Sequence, residues 1–238
     1  MSPPFIREIR INWDAVSEDS YLRQIPALKD TQIISLQKPV TFLAGENGTG
    51  KSTLLEAAAV AYGFNPEGGT KNYAFSTHDS HSELWRAVTL VRTPAKAMHG
   101  YFLRAESFYN VATAEEEYSK GPGGIPAHYH EKSHGESFLA VTEQHFRGRE
   151  MYFLDEPEAA LSPQRQLTLL LRINECVKEG AQFVIATHSP ILLAYPEAEI
   201  LNFADRIEPC AYEDTDSYRI TRMFVNDRER ILHQLFSE

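Results

Sequence analysis

The chain has 238 residues, near the upper end of a single domain, and 42% of them are hydrophobic, enough for a sizeable core. Its formal net charge of -10 excludes a surface that is basic throughout, so binding nucleic acid by phosphate neutralisation would need a local basic patch, and none stands out. No run approaches the roughly 18 apolar residues of a membrane span, the opening MSPPFIREIRINW has charges where a signal peptide has its apolar core, and only Cys176 and Cys210 occur; a cytoplasmic chain without a disulfide framework is expected.

Taken in order, Phe5 to Ile11 alternates apolar and charged side chains, which suits a half-buried strand. A polar connection then leads through Tyr21 to Val40–Leu55, VTFLAGENGTGKSTLL, which reads as a hydrophobic strand, a glycine-rich loop and a helix. The PEGG segment from Phe64 to Ser82 reads as a loop. Strands are expected at Ala87–Arg92 and Gly100–Leu103, the second running into RAESFYNVAT, which could start a helix. GPGGIPAHYH, 121–130, is too rich in Gly and Pro for regular structure. A helix is expected from Gly135, ending near Gly148. Met151–Leu154 and Phe183–Thr187 are short apolar runs separated by a helix over Pro163–Lys178, with Ser162 as its N-cap. Such runs between helices mark a parallel sheet buried on both faces.

The chemistry gathers at four places. In G-x-x-x-x-G-K-S the glycines Gly45, Gly48 and Gly50 let the backbone N–H groups turn inward as an anion nest at a helix N-terminus. Lys51 would reach the outer phosphates as a point charge, and Ser52 would set its hydroxyl on Mg²⁺, so the motif predicts a nucleoside triphosphate with magnesium. YFLDEP ends a buried strand with Asp155, suited to hold Mg²⁺, and Glu156, suited to polarise an attacking water. His188 closes the next strand, where an imidazole can bond the γ-phosphate or that water. KSHGES, 132–137, puts Ser133 and Gly135 at a helix N-terminus, a second anion site.

Together these residues resemble the ATP-binding cassette (ABC) ATPases, over nearly the whole chain. GENGTGKST looks like Walker A, SHGES like the signature, YFLDEP like Walker B, EAALS like the D-loop and THS like the switch-histidine loop. In style the chain is similar to the soluble RecF and SMC kind of ATPase, particularly those that consist of the head alone. The resemblance implies an α/β P-loop fold: a mostly parallel central sheet, an antiparallel N-terminal β element and a helical signature subdomain. It implies one domain over 1–238, with a nucleotide-binding lobe at about 1–75 and 150–238 and a helical lobe at about 76–149. ATP and Mg²⁺ are the implied cofactors. Gly45, Glu46, Asn47, Gly48, Thr49, Gly50, Lys51, Ser52 and Thr53 would hold the nucleotide. Lys51, Glu156 and His188 would be catalytic, while Ser133, His134, Gly135 and Glu136 of a second copy would close the site in trans.

Departures from the pattern are His134 where a glycine is usual, Ser162 where Asp is common, and no evident Q-loop Gln. At the Q-loop position, Glu106 is expected to join Ser52 and Asp155 as a magnesium ligand. Tyr21 or Trp13 are candidates to stack on the adenine, or else are core aromatics. The expected activity is ATP hydrolysis to ADP and phosphate in an ATP-dependent homodimer, a switch for an unidentified protein partner in DNA repair or defence. The alternatives are the nucleotide-binding subunit of a membrane transporter, and a slow ATP clamp on a nuclease partner. The signature string and the absent Gln argue against a membrane subunit.

Overall fold

The structure, a computed structural model, describes residues 4–71, 82–97, 99–106, 108 and 134–237. Its centre is a six-stranded sheet built from β3 (Val40–Gly45), β5 (Gly100–Arg104), β6 (Met151–Asp155), β7 (Gln182–Ala186), β8 (Glu199–Phe203) and β9 (Ile207–Pro209), in the order β5-β6-β7-β3-β8-β9. All neighbours are parallel except the β8–β9 pair. An antiparallel sheet of β1 (Ile6–Ile11), β2 (Ile33–Ser35) and β4 (Val88–Arg92), ordered β2-β1-β4, lies beside it. This is the ABC-type P-loop arrangement.

The apolar strands have both faces covered, and the burial pattern shows it. Met151 and Phe153 join one core with Leu54, Ala58, Ile9 and Leu201, whereas Tyr152 and Leu154 join another with Phe138, Leu169 and Ile173. The first core is filled by helix α2 (Lys51–Tyr62) and the small sheet, the second by α3 (His134–His145) and α4 (Pro163–Lys178). Ser162 caps α4 as expected, accepting from Arg165 N–H. The connection before β3 is not merely polar: it folds into 3-10 turns and a one-turn helix, α1 (Pro26–Lys29), whose Leu28 is fully buried. After β7 come the short α5 (Pro190–Leu193) and the terminal α6 (Asp216–Asn226) and α7 (Arg228–Phe236), which bury no residue of their own.

One polar side chain locks the two sheets. Gln182 is 1% exposed; its Oε1 accepts from Phe5 N and Ile6 N at 2.8 and 2.9 Å, and its Nε2 donates to Ile6 O at 2.9 Å. Leucine there would leave three buried backbone groups unpaired, at roughly 1–3 kcal/mol each. We expect Gln182→Leu to lose at least about 3 kcal/mol in urea denaturation, and a loss below about 1 kcal/mol would show that the clamp is idle.

The strand register positions the site. Arg104 pairs with Asp155, Asp155 with Ala186, and Ala186 with Leu43, so one line crosses four strands near their carboxyl ends. Everything just beyond that line emerges on one edge, where open α/β sheets bind ligands. The phosphate loop, Glu156 and His188 all emerge there.

Candidate active site

The loop between β3 and α2 has the backbone its glycines imply. Gly45 lies at φ +138°, and a Cβ there would fall 2.3 Å from the Phe203 carbonyl oxygen of the neighbouring strand. Gly50, the N-cap of α2, lies at φ +95°, and its missing Cβ faces Ile25 and Leu28 at 2.8 and 2.9 Å. Helix α1 and its lead-in therefore rest directly on the loop. Lys51 is buried, its Nζ donating to the Glu46 carbonyl at 2.7 Å, and the Thr49 hydroxyl donates to the same oxygen at 2.9 Å. Burial lowers the Lys51 pKa, opposed by the carboxylates of Glu156, Asp155, Glu46 and Glu158. The lysine is thus a cation set among four acids.

Asp155 ends β6 almost wholly enclosed. Burial pushes its carboxyl up to about 6, against the opposing pull of a hydrogen bond from the Ser52 hydroxyl and of the Arg104 guanidinium. The Ser52 bond ties the phosphate loop to the neighbouring acidic strand end. One oxygen, Oδ1, is buried with no hydrogen-bond partner among the described residues. A hydroxyl beside a carboxylate with an uncommitted oxygen is a hard donor set, and it fits magnesium.

Glu156 adopts a left-handed conformation, φ 47° and ψ 51°, uncommon for a residue with a side chain. Its N–H donates to Ala186 O at 2.9 Å, and its carbonyl accepts from Ala159 N at 3.0 Å, so bonds on both sides hold the turn. Its Oε1 lies 3.5 Å from His188 Nε2. That nitrogen is buried and unpartnered among the described residues, so histidine and glutamate face each other across a gap. The loop carrying His188 is fixed from beneath: Ser189 caps α5 and donates its hydroxyl to Gln166 Oε1, while Gln166 Nε2 donates to Leu161 O at 3.1 Å.

Other expected residues are less central or fall elsewhere. Glu106 is exposed, with its Oε2 3.7 Å from Arg104 Nη2, and it is the last of the influences on Asp155. Ser133 lies outside the described residues. His134 opens α3, and Gly135 packs so tightly on the following turn that a Cβ would fall 2.5 Å from Arg165 Nη1 and 3.0 Å from Ala160 O. Glu136 pairs with Arg165 at 3.1 Å. Trp13 donates its indole N–H to Thr31 O at 2.7 Å, whereas Tyr21 stays exposed in its 3-10 turn.

Three residues were missed by sequence reasoning. Glu158 accepts from His188 N at 2.5 Å and keeps Oε2 buried without a partner among the described residues. Arg104 and Glu56 form a part-buried ion pair at 2.6 Å behind Asp155. Glu158 stood in plain view two positions after Glu156, and its place in EAALS was the available signal.

Comparison with known proteins agrees with this fold. A family model described as "AAA domain, putative AbiEii toxin, Type IV TA system" matches residues 136–194, and one described as "AAA domain" matches 20–119. No curated protein matches. Similar solved structures include CbiO1 from Clostridium perfringens, part of the ABC transporter complex CbiONQ, at 14% identity and TM-score 0.51 over 98% of this chain and 99% of that one. A "putative metal-chelate type ABC transporter" in an inward-facing conformation is 15% identical, with TM-score 0.51 over 93% and 89%. The SMC head domain from Thermotoga maritima is 13% identical, with TM-score 0.48 over 87% and 99%. The expectation that a membrane subunit is an improbable partner is corrected by these matches, because transporter structures stand among those of most similar fold. Among the described residues no helix is long and apolar enough to cross a membrane. In fold this chain is an ABC-type P-loop protein, and its motif order and the two AAA-domain matches, each over less than half of its length, agree with a P-loop ATPase.

Proposed function

We propose that the chain hydrolyses ATP at composite sites of a head-to-tail homodimer, so that nucleotide both joins two copies and, once cleaved, releases them. The observation that carries the reading is the convergence of Lys51, Asp155, Glu156 and His188 on one sheet edge, with Ser52 bonded to Asp155. The loop amides from Gly45 to Thr53 and Lys51 hold the phosphates. Ser52 and Asp155 hold magnesium, which when bound neutralises phosphate charge. Glu156 takes a proton from the attacking water, and His188 orients that water or the terminal phosphate. The residues from Ser133 to Glu136 of the second copy close over the nucleotide, with the N-terminus of α3 as a further anion site. The division into lobes 1–75 with 150–238 and 76–149 belongs to the same reading.

Complementation tests it. A Ser133→Arg protein keeps its phosphate loop, and a Lys51→Ala protein keeps its signature; only a mixed dimer joins the two intact halves. Mixing equal amounts should restore up to roughly a quarter of wild-type sites if pairing is random. Phosphate release no greater than the sum of the separate variants would exclude sharing in trans.

A second reading concerns the output. The two transporter structures share this fold over 93% and 98% of the chain, which supports a membrane subunit as the partner that the ATP cycle drives. A switch acting on a soluble partner uses the same site. What a trapped dimer carries with it separates the two.

A further inference from the structure

Arg104 ends β5 with a contact set that is complete on one side and open on the other. Its Nη1 donates to Glu56 Oε2 at 2.6 Å and to Pro66 O at 3.2 Å, anchoring it to the helix that follows the phosphate loop. Its Nε points toward Asp155 Oδ2 from 3.6 Å and has no hydrogen-bond partner among the described residues. Across the gap, Asp155 Oδ1 also lacks one. All three side chains are enclosed, at 16%, 9% and 7% exposure for Arg104, Glu56 and Asp155. A purely structural arginine at this depth would be expected to satisfy its donors, because an orphaned one is costly. This one stands within Coulombic reach of the acid without bonding it.

We propose that Arg104 is a positioning residue that stands in for the metal: its guanidinium neutralises Asp155 while the site lacks nucleotide and keeps divalent cations out until a triphosphate brings further ligands. The inference rests on reading Asp155 as the magnesium-side carboxylate. Anchored by Glu56 and Pro66, the arginine need not leave when Asp155 changes partner; it has only to cease being the nearest cation. A carboxylate already facing a fixed positive charge attracts a second cation weakly, whereas the phosphates of ATP add enough negative charge to reverse the balance. The metal then enters with its nucleotide rather than ahead of it.

The test uses the full chain without nucleotide and Mn²⁺ as probe, following loss of the free-ion electron paramagnetic resonance signal. Arg104→Gln should bind Mn²⁺ about 10- to 100-fold more tightly than the wild type, and Mg²⁺ should raise its thermal midpoint more than that of the wild type. Arg104→Lys, which keeps the charge, should exclude the ion as the wild type does. Glu56→Gln, which frees the guanidinium to swing toward Asp155, should bind Mn²⁺ more weakly than the wild type, and this holds the inference to account even if Arg104→Gln does not fold. Affinities unchanged across these variants would overturn it. Adding Asp155→Asn to Arg104→Gln separates the two readings. If that change removes the Mn²⁺ site, Asp155 is the ligand and only the role of Arg104 is in question; if Mn²⁺ still binds as tightly, the magnesium assignment itself falls.

Discussion

Glu156→Gln should bind ATP as the wild type does, release phosphate about 10² to 10⁴ times more slowly, and accumulate as an ATP-bound dimer. The amide has the same size and keeps the backbone of the turn, which is held by the bonds to Ala186 and from Ala159 rather than by the side chain. What it loses is the capacity to accept a proton. The left-handed conformation at Glu156 aims that capacity: an extended residue here would continue β6, whereas φ 47° turns the carboxylate out of the strand toward His188, 3.5 Å away. Steady-state phosphate release and light scattering in saturating Mg-ATP measure the two effects. Hydrolysis within a few-fold of wild type would remove Glu156 from the chemistry, and a monomer would remove the sandwich. The trapped protein is also the reagent for the output: a membrane protein retained with it from detergent-solubilised membranes favours the transporter reading, and a soluble protein favours the switch.

Local pattern made part of this site readable. The strand, loop and helix from Val40 to Tyr62 are contiguous, the acids close an apolar run, and α4 carries its cap and first-turn proline, so each element announces itself within a few residues. The unread parts depend on distance or brevity. Arg104 and Glu56 meet across 48 positions, and Gln182 reaches Ile6 across 176, with no spacing rule to join them. β2 and β9 have three residues each, too few for alternation to show, and α1 is a single turn whose Leu28 matters because it abuts Gly50. The membrane-partner expectation failed for a related reason. It rested on loop strings, a missing Gln and a divergent signature, whereas likeness of fold is carried by the whole sheet. Glu106 shows the same hazard in reverse, since a suitable residue at a suitable position still lies 86% exposed, on the arginine's side of the cluster.

Lys51→Ala should weaken ATP binding at least about 100-fold, which puts it at the upper end of what the loss of one charged hydrogen bond costs, roughly 1.5–3 kcal/mol, or beyond it. The reason is the company the lysine keeps. Asp155, Glu156, Glu46 and Glu158 all act on its ammonium, and with Nζ removed a polyphosphate approaching the loop meets those acids with no side-chain cation between. Arg104 does not compensate, because Glu56 and Asp155 already occupy its charge. The loop amides would still offer hydrogen bonds, and the glycine conformations that present them do not depend on Lys51, so the fold should survive and circular dichroism should be unchanged. Titration with a fluorescent ATP analogue reads the affinity. Because the loss is electrostatic, it should shrink as salt screens the acids, although burial limits how far. Lys51→Arg would not restore binding: the charge is kept, but a planar fork does not reproduce the compact ammonium that donates to the Glu46 carbonyl. If Lys51→Ala bound the analogue within about threefold of wild type, the phosphates would have to lie somewhere other than this loop.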